Sequence, residues 1–335
     1  MKAYVIRRLL LMAPTLLGIS LVVFALIQFV PGGPVEEMIS KVQQAAAEKR
    51  PGARISPQEV ENIKAYFGFD KPAPVRYAIW LGKVVRLDLG KSYTYQEPVW
   101  DVIKSKFPIS LFFGLTSFVL SYLVSVPLGV AKALRNGSWF DTLTSGIIFT
   151  GYVIPGYALG IILIILLGGG RFLDWFPISG IVSDEFESLS APGKVLDFLH
   201  HMVLPLFCYM ISEFAVLTMM LKNSLMEEMG KDYMRTAVVK GSTFKAAVWR
   251  HAFRNALIPL ATRAGEIFTI MFAGSILIER VFDIDGMGLL VYTSMVNRDY
   301  NVVMGIILLS SLMAMIGRLF SDFLYVVVDP RIRFD

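Results

Sequence analysis

Residues 232–259 read DYMRTAVVKGSTFKAAVWRHAFRNALIP, a basic segment of mostly helix-favouring residues set between two long apolar runs. It is too polar to cross a bilayer. Helical periodicity holds on both sides of Gly241, with Phe244, Val248 and Ala252 on one stripe and Lys245, Arg250 and Arg254 turned away, which predicts two short helices hinged at the glycine. Small Ala237 and Gly241 let a helix end lie close against a partner, and Gly241 can take a positive φ at low cost. Phe244 and Tyr233 are the apolar anchors, of the kind that interface cores favour, with arginines at the rim. The blander alternative is a basic loop that only holds topology.

Outward from this stretch the chain is apolar. Of its 335 residues 55% are hydrophobic and 18% charged, and the mean hydropathy is +0.59. Those values describe a polytopic membrane protein rather than a soluble domain. A spanning helix needs about 20 apolar residues. Runs of that order occur at Leu9–Val30, Phe107–Ala131, Thr142–Gly170, Met202–Leu221, Ala256–Ile278 and Asn301–Gly317, so six spans are expected. Short loops near spans set orientation through their Lys and Arg. Lys2, Arg7 and Arg8, then Lys132 and Arg135, then six Lys/Arg between Asn223 and Ile258, then Arg331 and Arg333 place both termini and the 223–258 loop in the cytosol.

The expected divisions are 1–30 as N-terminus and first span, 31–108 as an outer helical insertion, and 109–335 as the core. Ser56-Pro57-Gln58-Glu59 is a capping box with proline at the first helical position; Gly68 ends that helix, and a second covers Val75–Val85. Lys41–Arg54, lacking aromatics, is expected to be the least ordered part. Pro98 opens an amphipathic stretch with Val99, Val102, Ile103 and Phe107 on one side, expected to lie in the interface plane before the second span. Pro127 and Pro155 fall inside spans, where they invite kinks or are tolerated as ordinary membrane prolines.

The core Arg235-Thr236-Ala237-Val238-Val239-Lys240-Gly241 resembles the coupling loop of ATP-binding-cassette importer permeases, with Arg235 where the motif has its Glu, as is usual in the peptide branch. The tail from Arg250 to Pro259 resembles the longer form found in oligopeptide and dipeptide permeases. Four further stretches resemble the same family: Arg7 to Gly18 with the exit Pro31-Gly32-Gly33-Pro34, Phe176 to Gly180, Gly286 to Tyr300, and Asp329 to Arg333. The second glycine of that exit, followed by Val35-Glu36-Glu37, points to the Yej branch, associated with peptides and microcin C. The resemblance implies a MetI-like fold of type I importers in a bacterial inner membrane. It implies Tyr233, Arg235, Thr236, Ala237, Gly241, Phe244, Arg250 and Arg254 at the ATPase contact. It also implies as partners a second homologous permease, ATPase subunits or one fused tandem ATPase, and a periplasmic peptide-binding protein.

No Gly-x-x-x-x-Gly-Lys-Ser/Thr phosphate loop occurs, so ATP and Mg are expected on the partner ATPase and no cofactor in this chain. Three histidines have no zinc-like spacing with carboxylates, no catalytic constellation stands out, and nothing supports nucleic-acid binding. Inside the apolar runs lie Glu213, Arg263 and Glu266. Groups so placed face a partner or a water-filled path. Either Glu213 and Glu266 line the peptide path, with Glu213 balancing a peptide's amino end, or Glu266 pairs with Arg263 at i, i+3 and Glu213 bonds a neighbouring helix. The alternative function is an ion-coupled secondary carrier using these carboxylates as proton sites, although no repeated halves are visible. A membrane enzyme is a third class. Peptides, microcins and nickel chelates all stay open as cargo.

Overall fold

The computed structural model describes residues 2–29, 34–49, 56–66, 70–170 and 172–328. These are helical, with one isolated bridge between Lys91 and Pro98 and no strand among them. In chain order the first five helices are α1 (Lys2–Phe29), α2 (Pro34–Lys49), α3 (Pro57–Tyr66), α4 (Ala73–Val85) and α5 (Val99–Leu134). Next come α6 (Trp139–Val153), α7 (Gly156–Leu167), α8 (Ala191–Gly230), α9 (Asp232–Val239) and α10 (Phe244–Ala247). A π-helical turn, Val248–Ala252, leads into α11 (Phe253–Ala256), followed by α12 (Ile258–Ala264), α13 (Ile267–Ala273), α14 (Ile276–Val281), α15 (Met287–Val296) and α16 (Tyr300–Val328). The Pro31–Gly33 part of the exit motif, Gly68 and the Asp329–Arg333 motif lie outside the described residues.

Four helices are long and apolar enough to cross a membrane, within α1, α5, α8 and α16, and α6 with α7, bent by 99°, can supply a fifth. The bend falls at Ile154-Pro155, where α6 ends and proline opens α7; Pro127, by contrast, sits inside an unbroken α5. The fifth expected span, Ala256–Ile278, is not a continuous helix but the three short pieces α12, α13 and α14. Its breaks have a physical cause. The Gly265 N–H donates to the Ser321 hydroxyl at 3.0 Å, and a Cβ on Gly265 would lie 2.0 Å from the Gly317 carbonyl, so this backbone is committed to α16. The second break is at Gly274, whose φ of +58° only glycine takes freely.

The chain forms two compact units. The first comprises Met1–Leu9, Phe107–Leu289 and Met313–Asp335. Here Leu217, Leu221 and Leu225 of α8 pack with Val130 and Ala133 of α5 and with Met234, Ala247, Val248, Ala252, Ala256 and Leu260. A second cluster joins Phe113, Met202, Leu204, Cys208, Ile278, Phe282 and Ile284.

The second unit comprises Leu10–Lys106 and Leu290–Leu312. The capping box closes as read: Ser56 N–H donates to Glu59 Oε2 at 2.8 Å and Glu59 N–H to Ser56 Oγ at 3.2 Å. The box also holds the Glu59 carboxyl below its usual value, through the backbone and then the hydroxyl of Ser56. Of the Lys41–Arg54 stretch, Lys41–Lys49 is the second half of helix α2, and residues 50–54 lie outside the described residues. One sequence expectation is corrected here: the Pro98 stretch is no separate interfacial helix but the first turns of α5, with Val99, Val102 and Ile103 buried. The motifs around Gly90 and Asp299 are stitched together. Ser92 Oγ donates to Asp299 Oδ2 at 2.5 Å and Thr94 N–H at 2.9 Å, just ahead of α16.

Candidate coupling surface and membrane charges

The segment from Asp232 to Ala256 forms the two expected helical parts, α9 and the run starting at α10, and the hinge between them is Gly241 at φ +96°. Open space surrounds a Cβ built there, so the backbone angle, not crowding, demands glycine. Thr243 opens the second part by accepting the Ala246 N–H at 3.3 Å. Ala247, Val248, Ala252 and Ala256 are fully buried against α8 and α5. The segment is therefore a rigid bracket on the ends of these helices.

Burial revises the expected stripe. Val248 and Ala252 face inward, but Phe244 is 52% exposed; the π turn carries one more residue per turn than an α-helix, so the register of α10 does not continue beyond it. Tyr233 likewise turns inward rather than out. Its hydroxyl donates to Glu228 Oε2 at 2.5 Å, and burial first, then this bond, pushes the phenol up to about 12. Lys231 Nζ donates to Glu228 Oε1 at 2.5 Å and Asn255 Nδ2 to Oε2 at 3.3 Å, so one carboxylate ties α8, α9 and α11 together. Sequence reasoning missed Glu228: Lys231 and Tyr233 lie three and five residues on, a local signal that could have found it, and only Asn255 is brought from beyond the hinge.

The other expected contact residues divide. Arg235 is exposed and pairs only loosely with Asp232, at 3.7 Å. Thr236 and Arg250 are exposed and Ala237 is half-buried against the core. Arg254, though exposed, is engaged within the chain: Nε donates to the Val328 carbonyl at 2.7 Å and Nη2 to that of Val327 at 3.4 Å, satisfying carbonyls that a helix C-terminus leaves open. The exposed apolar residues of the segment are Val239, 88% exposed, Phe244 and Trp249, the last with its ring centroid 4.9 Å from that of Phe253, and Arg235, Lys240, Lys245 and Arg250 are exposed beside them in sequence.

Within the apolar helices, Arg263 gathers both flagged carboxylates. Its Nε and Nη2 donate to Glu213 at 2.9 and 3.0 Å, and Nη2 lies 2.8 Å from Glu266 Oε2, the i, i+3 pair. The Glu213 side chain is 25% exposed and that of Glu266 50%. Glu266 is the more open end of the triad.

Two buried polar centres were not legible beforehand. Lys132, counted from the sequence as a topological charge, is fully buried: its ammonium lies 3.0 Å from Asp141 Oδ1, and Lys222 holds Oδ2 at 2.6 Å. Glu279, also fully buried, accepts from Ser110 (3.2 Å), Tyr209 (3.0 Å), and the N–H groups of Ser275 (3.2 Å) and Leu289 (2.8 Å). Cβ atoms on Gly274, Gly286 and Gly288 would come within 2.2, 2.8 and 3.0 Å of its carboxylate. The Gly-x-Gly motif thus makes room for a buried carboxylate. Among the described residues no cluster of three or more His, Cys, Asp or Glu could hold a metal.

The described residues are thus those of an all-helical, multi-span membrane chain, with a basic segment of short helices between α8 and the broken α12–α14 stretch. Residues 125–334 match the family described as binding-protein-dependent transport system inner membrane component, and residues 1–114 match the N-terminal part of the same kind of component. The chain belongs to this family of ABC-importer permease subunits, in which the ATPase is a separate subunit. Among similar proteins are the peptidoglycan transport system permease protein YejB of Agrobacterium fabrum, 39% identical over all of this chain and 99% of the relative, and the inner membrane ABC transporter permease YejB of Escherichia coli O157:H7, 39% identical over the whole of both. The oligopeptide transport system permease AppB of Bacillus subtilis is 34% identical, again over the whole of both. Nothing in these relatives favours an ion-coupled carrier.

Proposed function

We propose that this chain is a permease subunit of an ATP-binding-cassette importer of peptides, oligopeptides or peptidoglycan-derived peptides among them, in the inner membrane with both termini in the cytosol. The observation that carries it is the bracket: an exposed tip of Val239, Phe244 and Trp249 with basic neighbours, on a base buried in the core of α5 and α8. Aromatic anchors inside a polar rim suit a docking contact, and buried packing at the base makes a push on the tip a displacement of the membrane helices. The ATPase, carrying ATP and Mg, would seat the tip, and a second, related permease would complete the path to which this chain contributes half. A periplasmic binding protein would deliver the cargo. The membrane segments would number six, the broken α12–α14 stretch serving as one.

Glu213 and Glu266 would line the path, both paired with Arg263, and the more exposed Glu266, rather than the Glu213 expected from sequence, would balance the positive amino end of a peptide. Purification of the whole complex, with mass spectrometry of the bound cargo and ATP hydrolysis measured with and without binding protein, tests this. A peptide cargo and hydrolysis that needs this chain are expected; a complex without an ATPase, or transport driven by a proton gradient alone, would overturn it.

A further inference from the structure

We infer that the second unit holds a phospholipid by its anionic phosphate, in a cavity between α1, α4, the 88–98 turn and the start of α16. The cavity measures about 810 Å³, within the range of about 300–1,000 Å³ typical of small-molecule sites. Four cations line it, Lys71, Arg76, Lys83 and Lys91, against one carboxylate, Asp88. Asp88 Oδ1 is already engaged by the Gly90 N–H at 2.8 Å, and the three lysine ammonium groups have no anionic partner among the described residues. The charge of this lining calls for an anion.

The walls call for an apolar body on the same ligand. Phe24 and Ile27 of α1 and Ile79 and Trp80 of α4 face the cavity. The wall is preformed, because Ser20 Oγ and Tyr77 Oη are 2.9 Å apart, Arg76 bonds Gln28, and Tyr77 lies against both Phe24 and Trp80, with centroids 5.3 and 6.1 Å away. Next to it, α1 exposes Leu21, Val22, Leu26 and Phe29, and α4 exposes Val75 and Ile79. Because α1 is long and apolar enough to span a membrane and the cavity adjoins its last turns, the site sits where headgroups meet acyl chains. Basic and aromatic side chains concentrate at that level. A phosphate diester with acyl tails supplies both the charge and the apolar body; inorganic phosphate supplies only the charge.

The test is retention of phosphatidylglycerol by the purified complete complex, read by native mass spectrometry while free lipid is diluted. K83Q, K91Q and the double variant remove exposed charges only, and K64Q, outside the cavity, controls for general surface charge. Retention is expected to fall about fivefold per cavity cation removed, the size of one basic side chain's attraction to an anionic lipid surface. K64Q should match the unaltered complex, and neither inorganic phosphate nor glycerophosphoglycerol should displace the lipid. Equal retention in the double variant and the unaltered complex would overturn the site. Displacement by the tailless phosphates at equal concentration would make it a free-phosphate site and overturn the lipid. Should the double variant retain its lipid but bind the substrate-binding protein more weakly, the cations belong to a protein interface instead.

Discussion

The segments α9–α11 and α2–α4 are both sets of three short helices linking longer ones, yet they are held in opposite ways. In the first, four residues of Ala247–Ala256 are fully buried and a carboxylate joins three helices. In the second, α4 has no buried residue; a capping box closes α3, and α4 is held by contacts of Arg76 and Tyr77 with α1. A segment with little buried apolar surface opens at low cost, whereas one locked into a core moves with it. The first would pass on a displacement under the proposed coupling; the second is held by surface contacts rather than by a buried core.

The largest effect is expected from breaking the hinge. Gly241→Asp puts a charged side chain at φ +96°, a strain of about 1–3 kcal/mol, and adds negative charge to the tip. Transport is expected to be lost and the ATPase to dissociate while membrane insertion stays normal; substrate-stimulated ATP hydrolysis at the unaltered rate would sink this assignment. Ala252→Phe attacks the base instead: overpacking a fully buried site costs about 1–3 kcal/mol. Thermal inactivation of the complex should come earlier, with coupling impaired although every tip residue remains.

Smaller still is Glu228→Ala, which leaves Lys231, Tyr233 and Asn255 without their common acceptor at a cost of about 1–3 kcal/mol, toward the lower end because water reaches part of the site. Faster hydrogen exchange confined to α9 and α11 is the expected reading. In the adaptable segment, Ser56→Ala should cost about 0.5–2 kcal/mol in α3 alone, with exchange from Val60 to Tyr66 accelerating and transport nearly unchanged. Because the capping bonds lower the Glu59 carboxyl, their contribution is fully present above the ordinary glutamate range and is lost as pH falls through the lowered value. Protection of α3 should thus weaken on acidification, and α9 should be indifferent to that change in Glu59.

Local signals were legible in the sequence. The Gly241 hinge, the Ser56 box and the i, i+3 pair of Arg263 with Glu266 each depend on residues within a few positions of one another. Long-range commitments were not. Gly265 in an apolar run reads as one more membrane-helix glycine until Gly317 and Ser321 lie against it. Nothing near Asp141 in sequence announces Lys222, 81 residues on. The inward turn of Tyr233 follows from its bond to Glu228, and the outward turn of Phe244 accompanies a π turn, which periodicity assumes away. The helix–hinge–helix segment was thus legible, while the faces of two of its residues were not.

The most direct measurement is chemical access to the tip. A cysteine at Val239, 88% exposed, can be labelled with maleimide in inside-out vesicles, since the one native cysteine, Cys208, is buried. Labelling is expected to be fast in the chain alone and strongly slowed in the complete complex, where a crosslinker of zero length should join this position to the ATPase. A cysteine at Val239 that labels equally fast with the ATPase present, and crosslinks to nothing, would contradict the central claim that this bracket is the coupling contact.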